Sequence, residues 1–517
     1  MEEFNKIIQK HFNISLVFFG LGLGFGFIYS INLLGFSLDS KILDPQNMRS
    51  IHISLMLYGF VPLMLSYLPF LLIVKDIGYD EKGVRNLELY TYFWYVFLIL
   101  MTITLLFGVR RGLAFYDFHY SLNAILAFAG LFYILALVRY IRLYKIKPLW
   151  IKVSLSASLI APIALLILMN PVIGQVEATI SGPHGDNTLG MSLTLIPIYY
   201  LIIKYLSNDE FQARWHIFWI IPTIFYALSV GHRILIGPLT YNQEWFFQWL
   251  TFLYIPLLYR WYQDANINSG AKRMLLISIL AFLFVDIEGN ILFIESIRWV
   301  FHRNDLIVAH AHVAMGVGVL FMVIAMYANH IKALQKKSFS NLFLFGMIGI
   351  FTVLSISGFV QAQYFNFDIS TLWSLRSFFA LFAIASLFYF VKINLDMTKL
   401  QMYNVIGVLN DGLGGVFLLL LADVLYPLVG FRFDGVYEYV VFAFVMTTGI
   451  IHFLAYKYKE HEIILTQLTV GVRFLVSSVF LSLFLTNKLG LEALIIFSFD
   501  FIYASLYLLY FYKRVRV

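Results

Sequence analysis

Phe301-His302-Arg303-Asn304-Asp305-Leu306-Ile307-Val308-Ala309-His310-Ala311-His312 opens an apolar run that ends near Asn329. Ionisable groups in a hydrocarbon setting cost free energy, so two histidines at the head of a membrane helix mark a candidate functional site. At about 100° per residue, side chains at i and i+2 point roughly 200° apart. One helix then offers an imidazole on each of two opposite flanks. Imidazole is an axial ligand of haem iron, and a helix gripped between two haems would need this spacing. The plainer alternative is a pair of histidines that hydrogen-bond neighbouring helices.

The rest of the chain sets the context of that run. Hydrophobic residues make up 61% of the sequence and charged ones only 13%, which excludes an ordinary soluble domain. Apolar runs of about 20 residues, roughly 16 of them, recur from Ile14 to Tyr512 and do not alternate, so an all-α polytopic membrane protein is expected. The first run is too long for a signal-peptide core and is expected to stay as a helix. Cysteine is absent, which excludes covalent c-type haem, iron–sulfur clusters, thiolate copper and disulfides within the chain. The net charge of +7 reports topology and no nucleic-acid partner.

With the N-terminus placed inside, one alternate set of loops holds the basic excess: Lys75 to Arg85, Arg139 to Lys147, Lys204 to Arg214, Arg260 to Arg273, Lys332 to Lys337 and Lys392 to Lys399. The C-terminal Lys513-Arg514-Val515-Arg516 falls on the same side, so both termini are expected in the cytoplasm. This parity brings His52, His184, His232, His310 and His312 to one depth in the outer third of the membrane. The remaining histidines, His11, His119, His216, His302, His330, His452 and His461, fit interfacial positions, with His302 the exception because it heads the organising stretch. Glycines at 20, 22, 24 and 26 give the first helix small faces for packing. After Gln401 about four more spans follow, with Asp411 and Asp423 as buried acids and no legible chemistry. No internal repeat or separate soluble domain is apparent.

Arg49-Ser50-Ile51-His52, Pro183-His184-Gly185-Asp186-Asn187, Tyr226 through Gly231-His232-Arg233, and His310-Ala311-His312 together resemble subunit I of the haem–copper oxidoreductases. The resemblance is nearest to the C-type, cytochrome cbb-type oxidases, with the nitric oxide reductases as relatives, and covers residues 14 to 396. Glu288-Gly289, His302, Asp305, His310 and His312 match by spacing. Gly358-Phe359-Val360-Gln361 and Trp373-Ser374-Leu375-Arg376 match the family's helices 11 and 12. The expected fold is a bundle of 12 helices over residues 1–400, followed by about four additional helices over 401–517.

The resemblance implies a role for each matching residue. His52 and His312 would be axial ligands of a low-spin haem, and His310 the proximal ligand of a high-spin haem, both haems of the b type. His184 and His232 would hold a second metal, copper or non-haem iron. Tyr226, six residues before His232, stands where the C-type branch places a redox tyrosine, although with 33 tyrosines in the chain a packing role is also open. Glu288 would be a proton-path carboxylate, and Asp305 and Arg376 would tie down haem propionates. One departure stands out. The family's paired histidines on helix 7 read His232-Arg233 here, and arginine has no free lone pair with which to replace a metal ligand. Asp186 is a possible substitute, whereas the glutamate of the nitric oxide reductases falls at Thr188.

The implied activity is that of a terminal respiratory oxidoreductase in a prokaryotic cell membrane, reducing O2 to water with electrons from a cytochrome or quinol partner subunit. Reduction of NO is the near alternative. A non-catalytic haem protein that binds a diatomic gas or relays electrons is a second class. A secondary transporter with histidine proton relays is a third, and it predicts inverted repeats that the sequence lacks.

Overall fold

The computed structural model describes residues 2–35, 44–112, 116–145, 148–168, 186–301, 303–416, 418–419, 422 and 435–509. His184, His302 and Asp423 lie outside the described residues. Among those described, helices dominate, and 13 are long and apolar enough to cross a membrane. Among the described residues, three further helical segments are shorter than that standard. Tyr241–Trp249 and Tyr254–Asp264 form one rod interrupted by the 3-10 turn Leu250–Leu253, just before Pro256. Lys399–Gly407 passes into a π-helical segment, Val408–Leu413, and Glu492–Tyr507 is short. Together these account for the apolar runs counted in the sequence, and the all-α polytopic architecture is as expected.

Contacts divide the chain into two compact units, one up to Phe390 and one from Val391. In the first unit the second span is broken into Pro45–Tyr58, Val61–Leu65 and Leu68–Ile77. Pro62 has no N–H to offer Tyr58 O, four residues back. Trp94 Nε1 takes that carbonyl instead, at 2.8 Å. Tyr327 Oη donates to Met64 O at 2.8 Å in the same region, so the break leaves its backbone satisfied inside an apolar bundle.

The run that begins at Asp305 is also irregular. Asp305–Val313 is α-helical, Ala314–Val319 is π-helical and Leu320–Tyr327 returns to α. A π segment opens the backbone ladder locally and is frequent beside functional sites. Ser278 Oγ donates to Gly318 O at 2.5 Å, satisfying one of the carbonyls there. Asn304 caps the N-terminus, accepting from Leu306 N at 3.0 Å. A Cβ on Gly358 would lie 2.7 Å from Leu306, so the bare glycine lets Lys337–Gln361 close on this helix.

Candidate haem and metal site

The helix Pro45–Tyr58 starts with Asp44 accepting from Gln46 N at 2.8 Å and with proline at its first position. Two turns on, His52 places Nδ1 2.8 Å from Gly22 O of the first helix. A carbonyl can only accept, so Nδ1 carries the hydrogen and Nε2 keeps its lone pair. Any side chain on Gly26 would collide with the His52 ring. The glycine row is therefore more than a packing face: Gly22 orients the imidazole and Gly26 admits it.

His312 is arranged in the same way, with Nδ1 2.8 Å from Val308 O in the preceding turn. The His52 and His312 rings lie 6.3 Å apart between centroids, with planes 23° from parallel. A metal–imidazole bond of about 2 Å on either side, plus about 1 Å from each nitrogen to its ring centre, separates two centroids by roughly 6 Å. The centroid separation is of the size a shared haem iron would require, and each ring keeps its Nε2 clear of the backbone bond that orients it, so these two residues could hold one haem.

His310 leaves the helix on the other flank. Its Nδ1 lies 3.1 Å from Glu288 Oε2 on the helix Ser269–Leu292. The carboxylate expected on a proton path thus has an imidazole as its partner, which the sequence reading did not give it. A ring whose Nδ1–H points at a carboxylate is fixed in orientation and is a stronger donor through Nε2. Gly289 adjoins, and a Cβ there would sit 3.5 Å from His310 Cε1.

Asp305 and Arg376 are brought together around Trp373. Asp305 Oδ2 accepts from Ser357 Oγ at 2.6 Å and from Trp373 Nε1 at 3.0 Å. Arg376 is 9% exposed, donates from Nη2 to Ser30 O at 3.1 Å, and lies 5.7 Å from the Trp373 ring centre. Its Nε is buried without a hydrogen-bond partner. An orphaned guanidinium donor of this kind suits an anionic group such as a carboxylate.

Tyr226 and His232 share the helix Ile217–Leu235. The Tyr226 ring lies against Gly190 of the helix Asp186–Leu206, where a Cβ would come within 2.6 Å of it. His232 Nδ1 is 3.1 Å from Gly237 O at the end of its own helix. Arg233, the residue in the family's histidine position, reaches Glu244 Oε1 at 3.4 Å. No group of three or more His, Asp or Glu side chains among the described residues could hold a metal ion. Of the two histidines assigned to the second metal, only His232 is described.

Two of the histidines given to interfacial positions are buried within the protein. His11 is fully enclosed, with Nδ1 3.0 Å from Tyr95 Oη. His452 is also fully buried, within Val436–Lys457. The chain after Gln401, where no chemistry was legible, places His452 beside Asp411, Arg473 and Asp500.

No family model matches the sequence, and no curated protein does. Among solved structures, the chain is similar to one described as a "Cryo-EM structure of a heme-copper terminal oxidase dimer provides insights into its catalytic mechanism". The identity is 11%, the TM-score 0.54, and the match covers 76% of this chain and 83% of that one. The irregular helices and the histidine placements described above thus belong to a chain with the fold of a haem–copper terminal oxidase.

Proposed function

We propose that this chain is the membrane subunit of a terminal respiratory oxidoreductase that reduces O2 to water through a low-spin and a high-spin haem, both b-type. The observation that carries this reading is the His52–His312 pair, near-parallel imidazoles 6.3 Å apart with each Nδ1 tied to a carbonyl. His52 and His312 would together hold a haem whose chemistry would be electron transfer. His310 would hold the second haem through a single imidazole, and that haem would supply the chemistry for reducing a diatomic gas.

The protein's own residues divide the remaining work. Glu288 accepts from His310 Nδ1 and so fixes the orientation of the ring, leaving Nε2 to serve as the ligand. Arg376 offers its unpartnered Nε to a propionate, while Asp305 acts through Trp373 by anchoring the indole beside that guanidinium. Tyr226 is assigned as the phenol that supplies an electron and a proton to the reacting gas, and His184 with His232 as holders of copper. Without cysteine the chain builds no c-haem, so electrons enter from a cytochrome or quinol partner subunit. We assign residues 1–400 to this redox bundle and place the protein in a prokaryotic cell membrane with both termini cytoplasmic.

A second reading, a haem protein that binds a gas or relays electrons without a second metal, is favoured by one observation. Arg233 occupies the position of a ligand and is paired with Glu244. Metal analysis with reduced and CO-difference spectra on the purified membrane protein separates the readings. Two haems, one of them binding CO, with stoichiometric copper support the oxidase. Two haems with non-haem iron would point to NO reduction, two haems alone to the relay, and no haem would overturn the proposal.

A further inference from the structure

The unit from Val391 onward encloses a charge cluster that plays no part in the redox chemistry above. Arg473, on the helix Glu462–Leu485, is 3% exposed and holds two carboxylates. Its Nη2 lies 2.6 Å from Asp411 Oδ2 and its Nη1 2.5 Å from Asp500 Oδ1. Two carboxylates against one guanidinium leave one negative charge in excess, and a net charge among apolar helices costs free energy. A positive group is needed to balance it.

His452 is placed to provide that balance. A side chain on Gly407 would collide with its ring, so the bare glycine admits the imidazole between the helices. His452 Nδ1 lies 2.9 Å from Asn404 Oδ1. The groups behind Asn404 fix which atom donates. Thr466 Oγ1 donates its one hydrogen to Glu462 O at 2.6 Å, and so accepts from Asn404 Nδ2 at 2.9 Å. The Asn404 carbonyl therefore faces the imidazole, and His452 Nδ1 is the donor.

In a neutral ring Nε2 is then a bare acceptor. It is buried without a hydrogen-bond partner, 3.8 Å from Asp411 Oδ2. Two acceptors in that position repel each other, whereas a proton between them makes a charge-assisted pair.

We propose that His452 and Asp411 form a proton-binding site in the C-terminal unit, with one proton held between His452 Nε2 and Asp411 Oδ2. With that proton the set of His452, Asp411, Arg473 and Asp500 is electrically neutral. The step is proton uptake from water: an N–H or O–H bond forms, a hydronium O–H bond breaks, and no electron moves. The phenols that face the cluster are already committed. Tyr503 Oη donates to Tyr403 O at 2.6 Å and Tyr403 Oη to Tyr503 O at 3.3 Å, while the Arg473 guanidinium sits 4.2 Å from the Tyr503 ring centre. Glu462 is a further acid near the cluster, one helical turn before Thr466, whose hydroxyl donates to the Glu462 backbone carbonyl.

The test is nitrogen NMR on the full chain in membranes with labelled histidine, His452→Gln assigning the ring, together with infrared spectra of the carboxyl groups. The expected result in the wild type at neutral pH is either a doubly protonated His452 or a protonated Asp411 carboxyl. That signal should be lost in Asp411→Asn, a loss of one bound proton per chain. A neutral His452 beside an ionised Asp411 in the wild type overturns the proposal, as does a proton found only on Asp500. Both of these are read from the wild-type protein, so the test stands even if Asp411→Asn does not fold.

Discussion

Glu288 Oε2 lies 3.1 Å from His310 Nδ1, joining a carboxylate of one transmembrane helix to the imidazole of another. Replacing that carboxylate by an amide keeps a hydrogen bond and removes the charge. Glu288→Gln should therefore weaken His310 as a donor, leaving both haems bound while the midpoint potential of the high-spin haem rises. A rise of about 59 mV corresponds to a tenfold change for one electron. Spectroelectrochemical titration reads the shift, and an unchanged potential would mean that the carboxylate does not act through the ring.

Gly26 and Gly24 make a matched pair of substitutions in the first helix. A side chain at Gly26 collides with the His52 ring, whereas nothing lies within 4 Å of a Cβ on Gly24. Gly26→Val should abolish the reduced low-spin band and spare CO binding at the other haem. Gly24→Ala should keep both and stabilise the helix by about 1 kcal/mol. Persistence of the low-spin spectrum in Gly26→Val would count against His52 as a ligand, as it would in His52→Ala.

Arg233 can be returned to the residue type the resemblance leads one to expect. Arg233→His removes the 3.4 Å pairing with Glu244 and offers a further imidazole beside His232. If His184 and His232 share a metal, copper content per haem should rise, as measured by elemental analysis of the purified protein. No gain in copper would favour the reading without a second metal.

Asp80 provides a test outside the membrane spans. Arg139 grips it from Nε at 2.5 Å and Nη2 at 2.8 Å, and Gly83 N donates at 2.7 Å. The Arg139 guanidinium first, and the Gly83 amide after it, hold this carboxyl below its ordinary range. A carboxyl whose folded value is depressed contributes stability that is present above the ordinary value of about 3.9 and lost as pH falls through the lower folded value. Asp80→Asn should destabilise the protein by about 1 kcal/mol at neutral pH, since Arg139 is partly exposed. The difference from wild type should vanish in acid, and thermal midpoints measured across pH check both the size and the sign.

Length and hydropathy were enough to expose the helical runs, because about 20 apolar residues in succession have few alternatives to a span. The breaks were written in single residues: Pro62 interrupts the second span, and Pro256 follows the 3-10 turn. The opposite flanks of His310 and His312 followed from helical spacing. What spacing within one run cannot give is the rotational phase of another helix, so the pairing of Glu288 with His310 was hidden. The cluster around Arg473 was hidden for the same reason. His452, Asp411 and Asp500 are isolated polar residues in separate apolar runs, and only packing shows that they converge.

The His52–His312 pair also bears on how the protein is made. One ring belongs to a segment synthesised early and the other to a segment synthesised late. The ribosome must deliver most of the redox bundle to the membrane before the two can meet. Any group that they grip together is therefore acquired only after the segment carrying residue 312 of the 517 has been inserted, and a nascent chain stalled before residue 300 carries His52 already in the bilayer without His312 to complete the grip.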